Sequence, residues 1–400
     1  MREGRPELLA PAGNFEKLKI ALRFGADAVY VGGREFSLRA FADNFSAEEL
    51  RAAAEYTHVR GKKLYVAVNV YLRGSDGEKL GGYFSFLQDI GADAALVSDP
   101  GAVYIAKKAA PRLPLHLSTQ ANTTNGYAAA FWRQQGIARV VLARELSLGE
   151  IAAIHAHCPA MELEAFVHGA MCISYSGRCL LSDYLDGRSS NRGACVQACR
   201  RGYELRPVAP VERQERLPVE EDGRGTYILN SKDLNMIGRL GELERAGVCS
   251  FKIEGRMKSG FYLATVVNAY RRALDGAPVE LCRSELDTVA HRAYTEGYAF
   301  GENREAVNYA DAQTKGTCEY IADVLGWRDG RVTVEMRNRF HAGDVLEVLS
   351  PSGAFGRHVT VLDLRDEGGE ETEDAKLVQA KYTFRSDMPL SKGDFLRRRR

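Results

Sequence analysis

Four cysteines are concentrated in one stretch of the chain, residues 168–202, and their side chains are the ones best suited to chemistry. Cys172, Cys179, Cys195 and Cys199 are separated by six, fifteen and three residues. Thiolates are soft ligands, so four of them gathered in a reducing compartment more often bind zinc or an iron–sulfur cluster than form disulfides. The stretch therefore predicts a metal centre.

The spacing of the cysteines bears on which metal they bind. Structural zinc sites favour two short pairs with about two to four residues between the paired ligands. Only Cys195 and Cys199 approach that pattern. An iron–sulfur cluster tolerates irregular spacing, and intervening glycines and arginines would let backbone N–H groups approach the sulfurs and would offset thiolate charge. The arginines are Arg178, Arg188, Arg192, Arg200 and Arg201. A redox-active cluster is the favoured interpretation, and structural zinc and unligated cysteines are the alternatives.

The length and charge of the chain limit the classes of protein to which it can belong. Its 400 residues suit one barrel-sized domain plus a smaller one. The 54 lysines and arginines nearly balance 53 acidic residues, so any contact with nucleic acid must be local. No apolar run approaches the roughly 18 residues that a membrane span needs, and no secretion signal begins the chain. We therefore expect a cytoplasmic protein with reduced cysteines and no membrane partner.

Short apolar runs alternate with stretches of helical period, which predicts parallel strands joined by helices. The candidate strands lie at 7–10, 28–33, 63–70, 94–99, 113–119, 139–145, 162–169 and 250–256. Eight such strands predict an α/β fold, a (β/α)8 TIM-like barrel, with the cysteine-rich stretch as an insertion after the seventh strand. An open doubly wound sheet is the alternative.

Polar and charged residues at the ends of the strands are the candidates for an active site, because such barrels place their chemistry at that rim. Lys252, Glu254 and Arg256 alternate along one strand, so they share a face and, if buried, would need charged partners or an anion. The predicted substrate-binding residues at the strand ends are Asn69, Ser118, Gln120, Arg144, Lys252 and Arg256, with Lys232 from the later segment 227–234. The predicted catalytic residues are His168, Glu145 and Glu254. In segment 227–234 we expect a short strand and then a helix capped by Ser231 or Asp233.

From about residue 312 the pattern changes to short segments of alternating polar and apolar residues, which predicts a small antiparallel β-domain resembling a partly closed barrel. The predicted organisation is a catalytic barrel domain at 1–276 with a cluster-binding insertion at 169–226, a linker at 277–311 and the β-domain at 312–400. The four arginines at 397–400 are interpreted as a solvated charged tail, with contact to a phosphate backbone as the alternative.

Long motifs spread over nearly the whole chain carry a family resemblance. They are ELLAPAGN, STQAN, FVHGAMCISYSGRC, SNRGACVQACRR, LNSKDL, FKIEGRMKSGFYLATVVNAYR and EMRNRFHAGDVLEV. Together they resemble the collagenase-like peptidase family, U-32, and the last of them resembles that family's C-terminal β-domain. Within the family the chain is most similar to the prephenate-dependent tRNA uridine 5-hydroxylases.

The resemblance implies an activity and its cofactors. The activity is formation of 5-hydroxyuridine at the wobble position of tRNA, with a hydroxyl group derived from prephenate as co-substrate. It also implies a 4Fe-4S cluster, whose ligands would be Cys172, Cys179, Cys195 and Cys199. The implied partners are the tRNA anticodon loop and prephenate, and a paralogous partner subunit is left open.

The implied co-substrate and cluster require particular residues in the site. Prephenate carries two carboxylates, so we expect a cationic clamp formed by Arg144, Lys252 and Arg256, with Arg192 behind them. Four cysteine ligands would leave no open iron on the cluster. Either one cysteine is displaced, or the cluster serves electron transfer or structure.

Two other classes of function stay open. The older family label is peptidase, yet the chain contains no HExxH motif and no GxSxG motif. A triad assembled from distant positions would draw on Ser118 or Ser174 as nucleophile and on His116 or His168 as base. The third class is a metal-stabilised RNA-binding protein without catalysis.

Overall fold

The computed structural model describes residues 5–38, 43–201, 230–301 and 316–400, with the backbone of two short strands at Glu221–Asp222 and Gly225–Thr226. Two compact units divide the chain. The first unit comprises Met1–Leu22, Ala26–Met257 and His291–Thr314, and the second comprises Arg23–Gly25, Lys258–Ala290 and Lys315–Arg400. None of the helices in the described ranges is both long enough and apolar enough to cross a lipid bilayer.

Eight parallel strands form a closed barrel in the first unit. They are β1 Glu7–Pro11, β2 Ala28–Gly32, β3 Lys63–Val68, β4 Ala94–Val97, β5 Leu115–Leu117, β6 Ile137–Val141, β7 Glu162–Ala170 and β8 Val248–Ile253. Each strand pairs in parallel with the next from β1 to β7, and β8 pairs with both β7 and β1. This closure confirms the predicted (β/α)8 barrel and excludes the open doubly wound sheet.

Helices alternate with the strands, and several begin at caps that the sequence encodes. Ser46 and Ser147 each form a capping box with the glutamate three residues later, and Asp99 caps a helix whose first residue is Pro100. The helices are α1 Phe15–Arg23, α2 Ala47–His58, α3 Gly77–Asp89, α4 Pro100–Ala109, α5 Gly126–Gln134, α6 Leu148–His157, α7 Leu181–Asp186, α8 Leu240–Arg245, α9 Gly260–Leu274 and α10 Val279–Leu286.

The cysteine segment, defined here as residues 171–201, follows β7 directly. It contains α7 and three short 3-10 turns, at Tyr175–Gly177, Ser190–Arg192 and Ala198–Arg200. Further 3-10 turns lie at Gly74–Asp76, Thr119–Ala121 and Ile237–Arg239. The segment carries little regular structure, so side-chain contacts with the barrel must hold it in place.

The predicted helix start at Ser231 or Asp233 is wrong. Residues Asp233–Asn235 form a short strand that pairs antiparallel with the end of β7. The other edge of this short strand pairs in parallel with Tyr294–Thr295. The Asp233 carboxylate accepts the backbone N–H of Arg292 at 3.1 Å and pairs with its guanidinium, so it is not available to cap a helix.

The second unit contains α9, α10 and an antiparallel sheet of seven strands. These are β9 Cys318–Arg328, β10 Arg331–Met336, β11 Val345–Leu349, β12 His358–Thr360, β13 Leu362–Arg365, β14 Lys381–Arg385 and β15 Phe395–Arg399. Their order is β12-β11-β15-β9-β10-β14-β13, and the edge strands β12 and β13 are joined through Val361 alone. A two-stranded pair, Phe340–His341 with Asp374–Ala375, completes the unit. The predicted β-domain with a partly closed barrel shape is confirmed.

The arginine run near the C-terminus is not a solvated tail, because Arg397, Arg398 and Arg399 belong to β15. Arg397 is completely buried, and its Nη2 lies 2.5 Å from Glu347 Oε1 and 2.8 Å from Glu285 Oε2. Arg398 pairs with Glu319 and Asp344, and Arg399 with Glu347 and Glu285. The interpretation failed because the carboxylate partners come from positions distant in sequence, which a local run of like charge does not reveal.

Replacing Arg397 by methionine is expected to lower the free energy of unfolding by about 3 kcal/mol, because Glu285 and Glu347 would lose their buried cation. Urea unfolding measures the change. Arg328→Met is the control: its side chain is 92% exposed, so the change should stay within about 0.5 kcal/mol. Equal stability of the two variants would contradict the assignment of Arg397 as a structural ion-pair residue.

Candidate functional site

A cavity of about 70 Å³ lies at the carboxyl end of the barrel strands. Side chains from β2 to β8, or from the loops directly after them, form its walls. Seven of the residues predicted from the sequence line it: Asn69, Ser118, Gln120, Arg144, Lys252, Glu254 and Arg256. Polar and charged side chains that converge on a cavity at this rim are typical of a small-molecule site.

Arg256 is a buried cation that lines the cavity. Its side chain is buried, and its Nη2 donates to Ser37 Oγ at 2.8 Å. A Cβ on Gly32 would lie 2.4 Å from Arg256 Nη1, so only glycine leaves room for the guanidinium. A Cβ on Gly13 would lie 2.5 Å from the Arg256 carbonyl oxygen. Two glycines at the rim therefore serve the close approach of one arginine.

Arg144 is fixed by the end of β7. Its Nη1 donates to the carbonyl oxygen of Ala170 at 2.8 Å, and its guanidinium lies over the Phe166 ring, 3.8 Å from the centroid. A guanidinium held by a backbone carbonyl group and by an aromatic ring has few orientations left. Arg144 and Arg256 therefore bring two oriented cations to one cavity.

Lys252 differs from these arginines because its charge is balanced within the barrel. Its Nζ lies 2.8 Å from Glu164 Oε1. Glu164 also pairs with Arg139 at 3.2 Å, and Arg139 with Glu7 at 2.6 Å. Burial by itself would raise the pKa of Glu164, but Lys252 and Arg139 outweigh it and lower that pKa to about 2. Lys252 therefore adds less net charge to the cavity than the sequence suggested.

His116 lies in the same buried layer, with its ring edge-on to Tyr65 at a centroid distance of 4.8 Å. Burial, and then the nearby Arg139, lower the pKa of His116 to about 3. The imidazole is therefore neutral at physiological pH. Sequence reasoning missed this layer, although its signal was present: charged residues at Glu7, Arg139 and Glu164 interrupt apolar strand runs.

His116 is expected to make the protein less stable in acid. An unfolded histidine binds a proton below about pH 6.5, whereas His116 in the fold resists protonation until about pH 3, so stability falls as the pH decreases through that window. Between pH 6.5 and 4.5 the expected loss from this residue is about 2 kcal/mol. Denaturant unfolding at a series of pH values should show a flatter pH dependence for His116→Phe than for the wild type. A wild-type slope in His116→Phe would refute the assignment.

Glu254 is the carboxylate that lines the cavity, and Tyr30 positions it. The Tyr30 hydroxyl lies 3.2 Å from Glu254 Oε2 and 3.0 Å from the carbonyl oxygen of Ile253. Tyr30 was not predicted from the sequence; its signal was a tyrosine inside the apolar run of β2. Glu254 can exchange a proton with a bound molecule, and Tyr30 can hold its orientation.

An amide and hydroxyl wall completes the cavity. Ser118 Oγ donates to Gln120 Oε1. Asn69 Nδ2 lies 3.5 Å from both of those oxygens, and Asn69 Oδ1 accepts the backbone N–H of Leu38 at 3.3 Å. These groups can form hydrogen bonds with hydroxyl and carbonyl groups of a substrate without adding charge to the cavity.

Several side chains attach the cysteine segment to the rim of this cavity. Arg178 Nε donates to the carbonyl oxygen of Gln120 at 2.7 Å. Tyr71 N donates to the carbonyl oxygen of Asn191 at 3.1 Å. Arg192 Nη1 donates to the carbonyl oxygen of Tyr71 and to Asp76 Oδ2, each at 2.8 Å. Arg192 therefore holds the segment in place and does not line the cavity as the predicted clamp would require.

Glu145 also positions the segment. Its carboxylate accepts Ser176 N at 2.6 Å and Ser176 Oγ at 2.5 Å. His168 is buried beside Tyr294, with ring centroids 5.7 Å apart, and its carbonyl oxygen accepts the Glu254 N–H at 2.8 Å. Lys232 is half-buried and lies outside the cavity lining. These three predicted residues, like Arg192, are therefore not brought into the cavity.

The four thiols of the cysteine segment lie close enough to affect one another. Burial raises the pKa of Cys199, Arg200 opposes this effect, and the thiols of Cys172, Cys195 and Cys179 raise that pKa further. None of the eight cysteines forms a disulfide.

Donors already approach three of these sulfurs. Leu181 N lies 3.3 Å from Cys179 Sγ, Ser182 Oγ lies 3.9 Å from Cys195 Sγ, and Ser174 Oγ lies 2.9 Å from Cys172 Sγ. Hydrogen bonds of this kind surround thiolate ligands in metal sites.

The spacing of the thiols bears on the kind of metal site. Within the described ranges, no three His, Cys, Asp or Glu side chains are grouped tightly enough to hold a single metal ion. An iron–sulfur cluster is bound by cysteine thiolates. The all-sulfur donor set and the N–H and O–H groups around it fit such a cluster.

The serines considered for peptide hydrolysis have no histidine partner within the described residues. Ser118 donates to Gln120, and Ser174 contacts Cys172. Since a serine nucleophile needs a base within hydrogen-bond reach, the geometry offers no support for a serine–histidine pair at either position.

Comparison with known proteins gives a consistent result. Tested against known families, residues 13–308 match peptidase family U32, and residues 316–397 match the C-terminal domain of that family. The tRNA hydroxylation protein P1 of Bacillus subtilis is 37% identical over 98% of this chain and 95% of its own. The tRNA hydroxylation protein P of Escherichia coli is 37% identical over 87% of each chain. A 23S rRNA 5-hydroxycytidine synthase of Escherichia coli is 39% identical over 68% of this chain and 39% of its own. The chain therefore belongs to peptidase family U32 and includes the C-terminal domain of that family.

Proposed function

We propose that this chain is a tRNA-modifying enzyme that forms 5-hydroxyuridine at the wobble position, with a hydroxyl group derived from prephenate and a 4Fe-4S cluster in the cysteine segment. The relatives support the RNA substrate, because two are named for hydroxylation of tRNA and one for a 5-hydroxycytidine in rRNA. The chain spans nearly the full length of the first of these.

One observation carries the proposal: a cationic cavity at the barrel rim is joined directly to a segment with four thiols. Gln120 lines the cavity and accepts Arg178 of the cysteine segment at 2.7 Å. A site built this way would hold a small anionic co-substrate beside a thiolate-bound metal centre. Peptide hydrolysis would need neither feature.

The cavity residues suit a dicarboxylate. Arg144 and Arg256 would each bind one carboxylate of prephenate, since guanidinium groups match carboxylates in bidentate geometry. Glu254 would move a proton at the reacting group, with Tyr30 holding its carboxylate. Asn69, Ser118 and Gln120 would bind the hydroxyl group and the carbonyl groups.

Cys172, Cys179, Cys195 and Cys199 would hold the cluster, which supplies one-electron chemistry or structural support when bound. Ligation by all four thiolates favours electron transfer or structure over direct activation of a substrate. Arg178 and the Ser176–Glu145 pair would keep the segment at the rim in either case. The target base would reach the cavity from a single-stranded anticodon loop, splayed out of its stack.

The decisive experiment is metal analysis of protein purified without oxygen. We expect about four irons and four sulfides per chain, with a brown absorption spectrum. Incubation with prephenate and tRNA from a strain lacking the gene should then produce 5-hydroxyuridine, detected by nucleoside mass spectrometry. Zinc alone in the purified protein would refute the cluster, and unchanged nucleoside composition in the deletion strain would refute the hydroxylase.

A further inference from the structure

The cysteine segment exposes an unusual number of large apolar side chains. Their exposed fractions are 37% for Ile173, 51% for Tyr175, 70% for Leu180, 86% for Tyr184 and 46% for Leu185. Large exposed apolar side chains that are grouped in one segment often mark a binding surface. None of them is needed for the ion pairs and hydrogen bonds that attach the segment to the barrel.

The same segment is locally basic. Residues 171–201 contain five arginines and two aspartates, with no lysine or glutamate, whereas the whole chain has a net charge of only +1. Arg178, Arg188 and Arg201 are exposed. One aspartate, Asp186, pairs with Arg201 at 3.0 Å. The apolar side chains are therefore set among cations, which favours an anionic partner.

This surface adjoins the rim of the cavity. Tyr175 precedes Ser176, whose hydroxyl accepts the backbone N–H of Arg144 at 3.2 Å and donates to Glu145. Arg178 binds the carbonyl oxygen of Gln120, a residue that lines the cavity. A nucleotide whose base entered the cavity would leave its neighbours in the chain beside these side chains.

We infer that Tyr175, Leu180, Tyr184 and Arg188 form a surface that binds the unpaired nucleotides flanking the target base, here called the tyrosine surface. Tyrosine rings can stack on exposed bases, and arginines can bind the intervening phosphates. The inference rests on the proposed function, which identifies the RNA as tRNA. It adds the surface on which the anticodon loop would be held. An acidic protein partner is the competing occupant, and RNA affinity that is equal in wild type and in Tyr184→Ala would favour it over RNA.

Binding of a fluorescent anticodon stem–loop RNA to the full-length, anaerobically purified protein tests the inference. Tyr184→Ala is expected to weaken binding about tenfold, and Tyr175→Ala by a similar factor, because each removes one stacking ring. A hairpin with the same stem and a minimal closed loop should bind wild type and variants alike. Tyr184 is the sharper variant because it is the more exposed, so its removal disturbs the fold least.

Tyr104→Ala is the matched control. Tyr104 is a 61% exposed tyrosine on α4 with a cation beside it, since Lys108 Nζ lies 4.2 Å from its ring centroid. It lies outside the cysteine segment, so its removal should leave RNA affinity unchanged. Arg188→Gln should make the slope of log affinity against log salt concentration shallower by about one, the value expected for the loss of one phosphate contact.

The outcomes separate this inference from the proposed function. Equal RNA affinity in wild type, Tyr184→Ala and Tyr104→Ala would overturn the tyrosine surface while leaving the hydroxylase intact. Equal affinity together with a lower melting temperature in Tyr184→Ala would assign these side chains to contacts within the chain. Wild-type protein that binds no stem–loop RNA and hydroxylates no tRNA would overturn the proposed function itself.

Discussion

Serine in place of Cys172 or Cys195 is expected to remove most of the bound iron and to abolish 5-hydroxyuridine formation. The change replaces a soft thiolate ligand by a poorly ionised hydroxyl of nearly the same size, so the packing of the segment is conserved while its affinity for iron is not. Iron and sulfide content and the absorption spectrum measure the first effect, and nucleoside analysis of tRNA from cells carrying only the variant measures the second.

Cys158→Ser is the matched control for this prediction. Cys158 is a half-buried free thiol outside the cysteine segment, at the end of α6, so the same chemical change should leave iron and hydroxyuridine at wild-type levels. Iron lost equally in both variants would point to a general effect on folding. Normal hydroxyuridine in cells with only Cys172→Ser would remove the cluster from the proposed function.

The barrel could be predicted from the sequence because strand and helix periods alternate and because parallel strands end at one rim. That rule places residues such as Asn69, Gln120 and Arg256 at the cavity without any alignment. The rule does not tell which of two adjacent residues after a strand will line the cavity. Arg144 and Glu145 are adjacent in the turn that follows β6, but only Arg144 lines the cavity, whereas Glu145 binds Ser176.

Contacts between distant parts of the sequence account for most of what could not be predicted. Lys252 was expected to bind an anion, but Glu164, on the neighbouring strand and 88 positions away, takes up its charge. Arg192 was expected behind the clamp, but Asp76 lies 116 positions away in sequence and 2.8 Å away in space. Local periodicity carries no information about such pairs, so charged residues could be placed at the rim but their partners could not.

The second large effect is expected from Arg256, whose removal should impair prephenate binding rather than RNA binding. Arg256→Gln keeps a planar polar group but loses the charge that would bind a carboxylate. We expect roughly a 100-fold loss in kcat/KM for prephenate, mostly as a higher KM, since a charge-assisted hydrogen bond to the substrate is lost. Arg256→Lys should recover only part of this, because a lysine ammonium cannot match a carboxylate with two parallel hydrogen bonds.

Gly32→Ala tests the same arginine without changing it. The added Cβ would lie 2.4 Å from Arg256 Nη1 and 2.5 Å from Ser37 Oγ. The Arg256 guanidinium must therefore leave its present position. Gly82→Ala on α3 is the control, because a Cβ there meets no atom within 4 Å. If Arg256 is the carboxylate clamp, Gly32→Ala should raise the KM for prephenate as Arg256→Gln does. The KM of Gly82→Ala should stay at the wild-type value. Both glycine variants should bind RNA with wild-type affinity. An unchanged KM in Gly32→Ala and Arg256→Gln would instead leave Arg144 as the principal anion-binding residue, because Lys252 is already neutralised by Glu164.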